Sequence, residues 1–350
     1  MSGEPRPLYQ RPLDFKRGRV ELAHGAGGRA TAQLVEELFL AAFDNPWLRT
    51  QNDAAAMPRP AGRLVMATDS HVVSPLFFPG GDIGSLSVHG TINDVAMAGG
   101  RPLYLAAGFI LEEGFPLAEL RRIVLSMAAA AKAAGVPIVT GDTKVVEQGK
   151  GDGVYITTTG VGVVPDGIVL DGSAAREGDA IFVSGSIGDH GVAIMSKREN
   201  LEFDTEILSD SAALHGLVET LLSACPRIRV LRDPTRGGLA TTLNEIARQS
   251  GVGMMLEESA IPLKPAVAAA CELLGLDPLY VANEGKLIAI VPAEDAALLH
   301  ATLLAHPQGR DAALIGRVTR DPDHFVQMTT TLGGRRVVDW LTGDQLPRIC

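Results

Sequence analysis

Hydrophobic and polar positions follow two rhythms along this chain, one of strands and one of helices. Residues 63–69 (RLVMATD) form a short apolar run closed by a carboxylate, the pattern of a buried strand. Residues 84–98 carry Leu86, Val88, Ile92, Val95 and Met97 and predict a helix weakened at Gly90. A strand is predicted over 101–111. The plainest helix runs over 116–134: proline opens it, Leu117, Leu120, Val124, Met127 and Ala131 recur along it, and Gly135 stops it. Two glycine-bounded β-rich stretches follow, 136–141 and 153–164. Turn-forming Pro, Asp and Gly over 165–178 then mark a domain boundary.

The second half restarts with a buried-strand pattern over 180–184. Helices are predicted at 211–224, 238–249, 264–274 and 294–305, and strands at 252–257, 286–291, 312–318 and 325–329. The pattern reads as an α/β chain of two domains, residues 24–165 and 176–332. A polar extension (1–23) precedes them, and a tail (333–350) expected to be mobile follows.

Composition narrows the class. A length of 350 residues exceeds what one core usually supports, and 46% hydrophobic with 21% charged residues excludes a disordered or fibrous chain. No uncharged apolar run approaches the ~18 residues of a membrane span, and no signal peptide is expected at the basic N-terminus. Net charge is −10, a poor match to nucleic acid. The three cysteines, Cys225, Cys271 and Cys350, are odd in number and lack CxxC or zinc spacing. A reducing cytoplasm is therefore the expected home. Cys225 and Cys271 read as buried apolar residues. Cys350 ends the chain and needs a separate account.

Several motifs could carry chemistry. His24-Gly25-Ala26-Gly27-Gly28 precedes a predicted helix over 29–43, so its backbone N–H groups could approach phosphate. It is neither GxGxxG nor a Walker A loop, and an ordinary glycine turn is the other reading. Asp53, Asp69, Asp82, Asp94 and Asp142 lie at strand ends or in loops. Together they would make an oxygen-rich site for Mg²⁺; separately each is a cap or turn residue. Lys144, in Gly141-Asp142-Thr143-Lys144, could neutralise phosphate, act as a base if desolvated, or be a surface lysine. Asp233-Pro234-Thr235-Arg236-Gly237-Gly238 offers donors before another helix. Glu284, in Asn283-Glu284-Gly285, suits either an acid/base or a turn. Cys350 is not placed for Cys-a-a-X prenylation. As a nucleophile on a mobile tail it could visit two sites, or it is an unused thiol or a metal ligand on another protein.

These residues carry a resemblance. HGAGG (24–28), ATDSHVVSPLFFPGGDIG (67–84), GTINDVAMAGG (90–100), GDTKVV (141–146), DPTRGGLATTLNEIA (233–247), NEGK (283–286) and terminal PRIC resemble the HypE family of hydrogenase maturation proteins. Those are carbamoyl dehydratases of the PurM-like, AIR synthase-related ATP-using superfamily. The Asp, Asn-Asp and Gly-Asp elements are shared with selenophosphate synthetases and thiamine-phosphate kinases; FFPGGDIG and PRIC are more selective. The resemblance implies a PurM-like two-domain α/β fold whose N-terminal domain dimerises through its sheet. It implies ATP at Gly25, Gly27, Gly28, Asp69, Asn93, Asp94, Gly141, Asp142, Thr143, Asp233, Thr235 and Gly237, and Mg²⁺ at Asp53, Asp69, Asp94 and Asp142.

It further implies that Cys350 is carbamoylated by a carbamoyltransferase, HypF. ATP-dependent dehydration to thiocyanate would follow, with Glu284 and Lys144 catalytic. The cyano group would then pass to a HypC–HypD complex for the iron of [NiFe] hydrogenase. The competing expectations are weaker. A selenophosphate synthetase resembles its family in a reactive Cys or selenocysteine near the N-terminus, and none precedes Cys225. A thiamine-phosphate kinase would not require a terminal Cys, and a non-catalytic thiol carrier would need no acidic cluster.

Overall fold

The computed structural model describes residues 11–201, 206–343 and 346–350. In the first domain α1 (Arg29–Leu34) and α2 (Ala41–Phe43) flank a π-helical turn at Val35–Leu40, so the predicted helix over 29–43 is one continuous run. Then come β1 (Arg63–His71), a small hairpin of β2 (Phe77–Phe78) and β3 (Gly81–Asp82), α3 (Ile83–Met97) and β4 (Arg101–Glu112). α4 (Leu117–Ala134), β5 (Ile138–Val146) and β6 (Val154–Val164) complete the domain. The sheet order is β1-β6-β4-β5, with β1 and β5 at opposite edges.

Helix α3 is buried nearly all round, which explains its lack of an amphipathic stripe. Asp82 caps it, its Oδ1 accepting from the N–H groups of Gly84 (2.8 Å) and Ser85 (3.0 Å). That gives Asp82 the cap role of its two sequence readings. Ile83, Leu86, Ile92, Leu120, Ile123 and Met127 form the core between α3, α4 and one face of the sheet. The other face leaves Leu64 and Met66 of β1 62% and 71% exposed, and Ile110 of β4 is exposed on the same face toward its other end. An apolar sheet face so open is an unpartnered surface.

The second domain contains β7 (Ala180–Val183), α5 (Asp189–Arg198), α6 (His215–Ala224), β8 (Val230–Arg232), α7 (Gly238–Ser250) and β9 (Gly253–Glu257). It continues through α8 (Pro265–Leu274), β10 (Ile288–Val291), α9 (Ala296–Ala305), β11 (Ala313–Thr319), β12 (Val326–Thr329) and β13 (Arg335–Val337). Its sheet runs β13-β12-β9-β11-β7-β10-β8. Both faces are covered: Ile181 and Val183 of β7 pack with Leu239, Leu243 and Ile246 of α7, while Phe182 packs with Leu217, Leu221, Leu299 and Leu303 of α6 and α9.

Several elements depart from the sequence expectations. α6 begins at His215 rather than 211, because the preceding residues are held to α3: Asn93 Oδ1 accepts from Leu214 N–H at 2.7 Å. α5, β8 and β13 lie outside the elements that the sequence pattern predicts. Of the tail over 333–350, Arg335–Val337 turn back at Gly333–Gly334 and pair with β12. Residues 1–10 of the extension lie outside the described residues. The remainder is docked on the first domain: Val20 is buried and its N–H donates to Phe115 O at 2.8 Å.

Candidate functional site

The cleft between the domains is built from the ends of β1, α3 and β8. Asp69 points from the helix-covered face of β1, and its Oδ2 accepts from Thr91 Oγ1 at 2.9 Å. Asp94 stands one helical turn beyond Thr91, in contact with Asp69 and near Asp233, which follows β8. These carboxylates line a cavity of about 490 Å³ with Arg232, Thr235 and Arg236. Burial, and then the neighbouring Asp233 and Asp69, push the Asp94 carboxyl up to about 7. Burial pushes Asp233 up to about 6. The site therefore holds more negative charge than its own residues neutralise, and that favours a cationic ligand. Among the described residues no three His, Cys, Asp or Glu form a ready-made metal cage.

A second cavity of about 430 Å³ adjoins the first. It is lined by Ser70, Arg236, Gly237, Tyr280 and the end of the tail, and Arg236 borders both. The tail is seated inward: Cys350 O accepts from Val72 N–H at 3.1 Å and Arg348 O from Ser74 N–H at 3.0 Å. Arg348 forms an ion pair with Asp152. The Cys350 thiol faces Glu284, and burial together with that carboxyl pushes the thiol well above its ordinary value. Glu284 is itself buried. Desolvation, then Asp233, Asp210, Asp69 and Asp94, raise it far above a normal glutamate. Its Oε1 has no hydrogen-bond partner among the described residues. Asp210 fixes the glutamate's backbone, accepting from Glu284 N–H at 3.0 Å while ion-paired to Lys286. Gly237, at φ +77°, turns the chain into α7 in a conformation other residues rarely adopt.

The remaining sequence candidates lie elsewhere. Asp142, Thr143 and Lys144 are on β5, and Lys144 Nζ pairs with Asp142 Oδ2 at 2.5 Å in solvent. The register Ser70–Thr157–Gly108–Asp142 puts Asp142 on the sheet face opposite to Asp69. It is also three strand spacings away, roughly 14 Å. Gly25 packs on this same edge, where a Cβ would come within 2.6 Å of Val145 N, and Gly27 and Gly28 are exposed beside it. Asp53 is in an exposed loop.

Within one chain, then, the structure brings together Asp69, Asp94, Asp233, Thr235, Gly237, Glu284 and Cys350. It leaves Asp53, Gly25, Gly27, Gly28, Gly141, Asp142, Thr143 and Lys144 apart from them, so the expected four-carboxylate metal set does not converge in a single chain. Asn93 is near the cleft and its amide ties the domains together: Nδ2 donates to Ala212 O (3.0 Å) and Glu284 O (3.3 Å), and Oδ1 accepts from Leu214 N–H. It also sets the backbone of Glu284. The cleft adds Arg236 and Arg232, to which the motifs alone give no role. The first was legible as the single cation inside DPTRGG; the second lies on the unpredicted β8.

The family profiles "AIR synthase related protein, N-terminal domain" and "AIR synthase related protein, C-terminal domain" match residues 51–164 and 176–329. The chain is 73% identical to the carbamoyl dehydratase HypE of Cupriavidus necator, over 100% of both chains. A solved structure of the hydrogenase maturation protein HypE in complex with ATP superposes with a TM-score of 0.91 at 52% identity, covering 94% of this chain and 99% of the other. HypE in a HypE–HypF complex gives 0.78 at 49% identity, covering 88% and 99%.

Proposed function

From the premise that this chain belongs to the HypE family of carbamoyl dehydratases, within the PurM-like superfamily and acting in hydrogenase maturation, we propose that its substrate is its own Cys350. The observation that carries this reading is the thiol seated against the buried Glu284 carboxyl, one oxygen of which has no other partner among the described residues, with Arg236 bridging to the carboxylate cavity.

A carbamoyltransferase of the HypF kind carbamoylates the thiolate with the tail swung outward; the relative solved with HypF supports such a partner. The burial that raises the thiol makes the inward position a poor place for that step. Returned inward, the thiocarbamate S–CO–NH₂ presents its oxygen to the cavity. ATP, which a close relative binds, gives its γ-phosphoryl to that oxygen. One N–H proton leaves as the C=N bond forms. Loss of phosphate with the second N–H proton then gives S–C≡N, ADP and inorganic phosphate.

Glu284 is the proton acceptor. Desolvation makes its carboxylate a strong base once ionised, and the carboxyl stands against the Cys350 thiol. Arg236 offsets charge on the transferred phosphoryl group. Asp69 and Asp94 suit Mg²⁺, a hard cation that typically takes one or two carboxylates and completes its shell with phosphates and water, so a three-donor cage is not required. When bound, Mg²⁺ would shield the phosphate charge.

Asp142, Lys144 and the glycine loop, and with them Asp53, enter this scheme from a second copy. The open apolar face around Leu64, Met66 and Ile110 is the surface on which two sheets would pair. The cyano group then passes to a HypC–HypD acceptor for the iron of [NiFe] hydrogenase. The cytoplasm suits such a free thiol. No helix among the described residues is long and apolar enough to cross a membrane.

ATP turnover tests the proposal. It should require carbamoylation and vanish in Cys350→Ala while nucleotide binding persists. Turnover by the alanine variant at the wild-type rate would refute it.

A further inference from the structure

The tail's main chain is held by a polar device separate from the chemistry described above. Arg348 turns the tail at φ +56°, and beyond it the carbonyls of Arg348 and Cys350 meet one set of donors while that of Ile349 meets another. Arg348 O and Cys350 O accept from the N–H groups of Ser74 and Val72, in the segment that follows β1. Ile349 O is held instead by a side chain, accepting from His190 Nε2 at 2.9 Å.

His190 lies in the first turn of α5 and is wholly buried. Its Nδ1 meets Ser209 Oγ at 2.8 Å, and that oxygen already accepts from Ser211 N–H at 3.1 Å. Ile349 O can only accept, so the ring proton is on Nε2, facing the tail, and Nδ1 accepts from the Ser209 hydroxyl. Phe78 packs edge-on against the ring, 5.5 Å between centroids. Arg198, at the other end of α5, holds Ser74 O (2.6 Å) and Arg348 O (3.0 Å) with the same Nη2. The Ile349 side chain between these contacts is buried.

We propose that His190 is a positioning residue for the thiol-borne group. Its fixed Nε2–H reads the carbonyl immediately before Cys350 and so sets the depth and rotation at which the sulfur meets Glu284. This deepens the reading of Cys350 as substrate carrier and rests on it. The device reads main chain rather than side chain, so it grips the tail alike whether the sulfur carries hydrogen, carbamoyl or cyano. When the tail leaves, a buried donor loses its only acceptor, which biases the chain to the inward position.

The test is residue-resolved alkylation of the full-length protein by iodoacetamide, followed by mass spectrometry, with Cys225 and Cys271 as internal reporters because both are buried in the second domain. His190→Leu keeps the volume and removes the donor. It should speed Cys350 alkylation roughly five- to thirtyfold, the loss expected for one buried hydrogen bond. Single-turnover dehydration should slow by a similar factor. His190→Gln restores a donor near the Nε2 position and should fall within about threefold of wild type. An unchanged Cys350 rate in His190→Leu overturns the proposal. If Cys225 and Cys271 also open in that variant, Ser209→Ala decides: it spares the ring but frees the tautomer, and an unchanged Cys350 rate there is equally fatal. Failure of the wild-type protein to dehydrate carbamoylated Cys350 would instead remove the substrate reading and leave the alkylation result standing.

Discussion

The two edges of the four-stranded sheet carry similar residues in opposite surroundings. At β1, Asp69 faces α3 and joins Asp94 and Asp233 in a cleft where carboxyl values rise to about 7 and about 6. At β5, Asp142 sits in solvent against Lys144, and that cation, followed by a backbone N–H, holds its carboxyl below the usual range. One edge stores unneutralised charge and awaits a cation; the other is already neutral and contributes little to stability. The first is a binding site before anything binds. The second acquires a role only when another surface meets it.

The sharpest way to break this contrast is Glu284→Gln, which keeps shape and removes the proton acceptor. Single-turnover dehydration should fall at least 10²-fold, with the protein still folded and nucleotide-binding. Lys144→Ala should also lose most activity, though from an exposed position. Mixing the two inactive variants then tests whether the edges cooperate between copies. With random exchange half the dimers carry one intact site, so about a quarter of wild-type activity should return. No recovery after demonstrated exchange would place both residues in one chain's site and contradict the register.

A smaller effect separates the edges by stability. A carboxyl raised from 3.8 to about 7 favours folding while protonated and loses that contribution as pH climbs between those values. Without divalent cation, Asp94→Asn should therefore melt roughly 2–6 °C above wild type at pH 8 and close to it at pH 4, while being inactive. Asp142→Ala should change stability by less than about 0.5 kcal/mol at either pH in chemical denaturation. Equal shifts for the two variants would erase the distinction.

Much of the fold was legible where periodicity and punctuation agree. α4 has its apolar face, its opening proline and its closing Gly135, and β1 is a bounded apolar run. α5 was not, because it is buried on most sides and spends its first turn on Asp189 and His190, so no stripe marks it. The motifs named the right residue types but not their grouping. GDTK and HGAGG read as partners of Asp69 because both suit phosphate, yet strand order, set by long-range pairing, puts them on another edge and another face. Asn93 read as a ligand through its neighbour Asp94, and its hydrogen bonds to Ala212, Leu214 and Glu284 depend on a domain packing invisible in the sequence.

The central claim is that Cys350 carries the group being dehydrated. Intact-mass and peptide-mapping spectrometry after incubation with carbamoyltransferase, carbamoyl phosphate and ATP tests it most directly. The carbamoylated mass should fall by one water when ATP is added, and the change should map to Cys350. A carbamoylated mass that stays constant with ATP, or a loss of water mapping to any other residue, would contradict it.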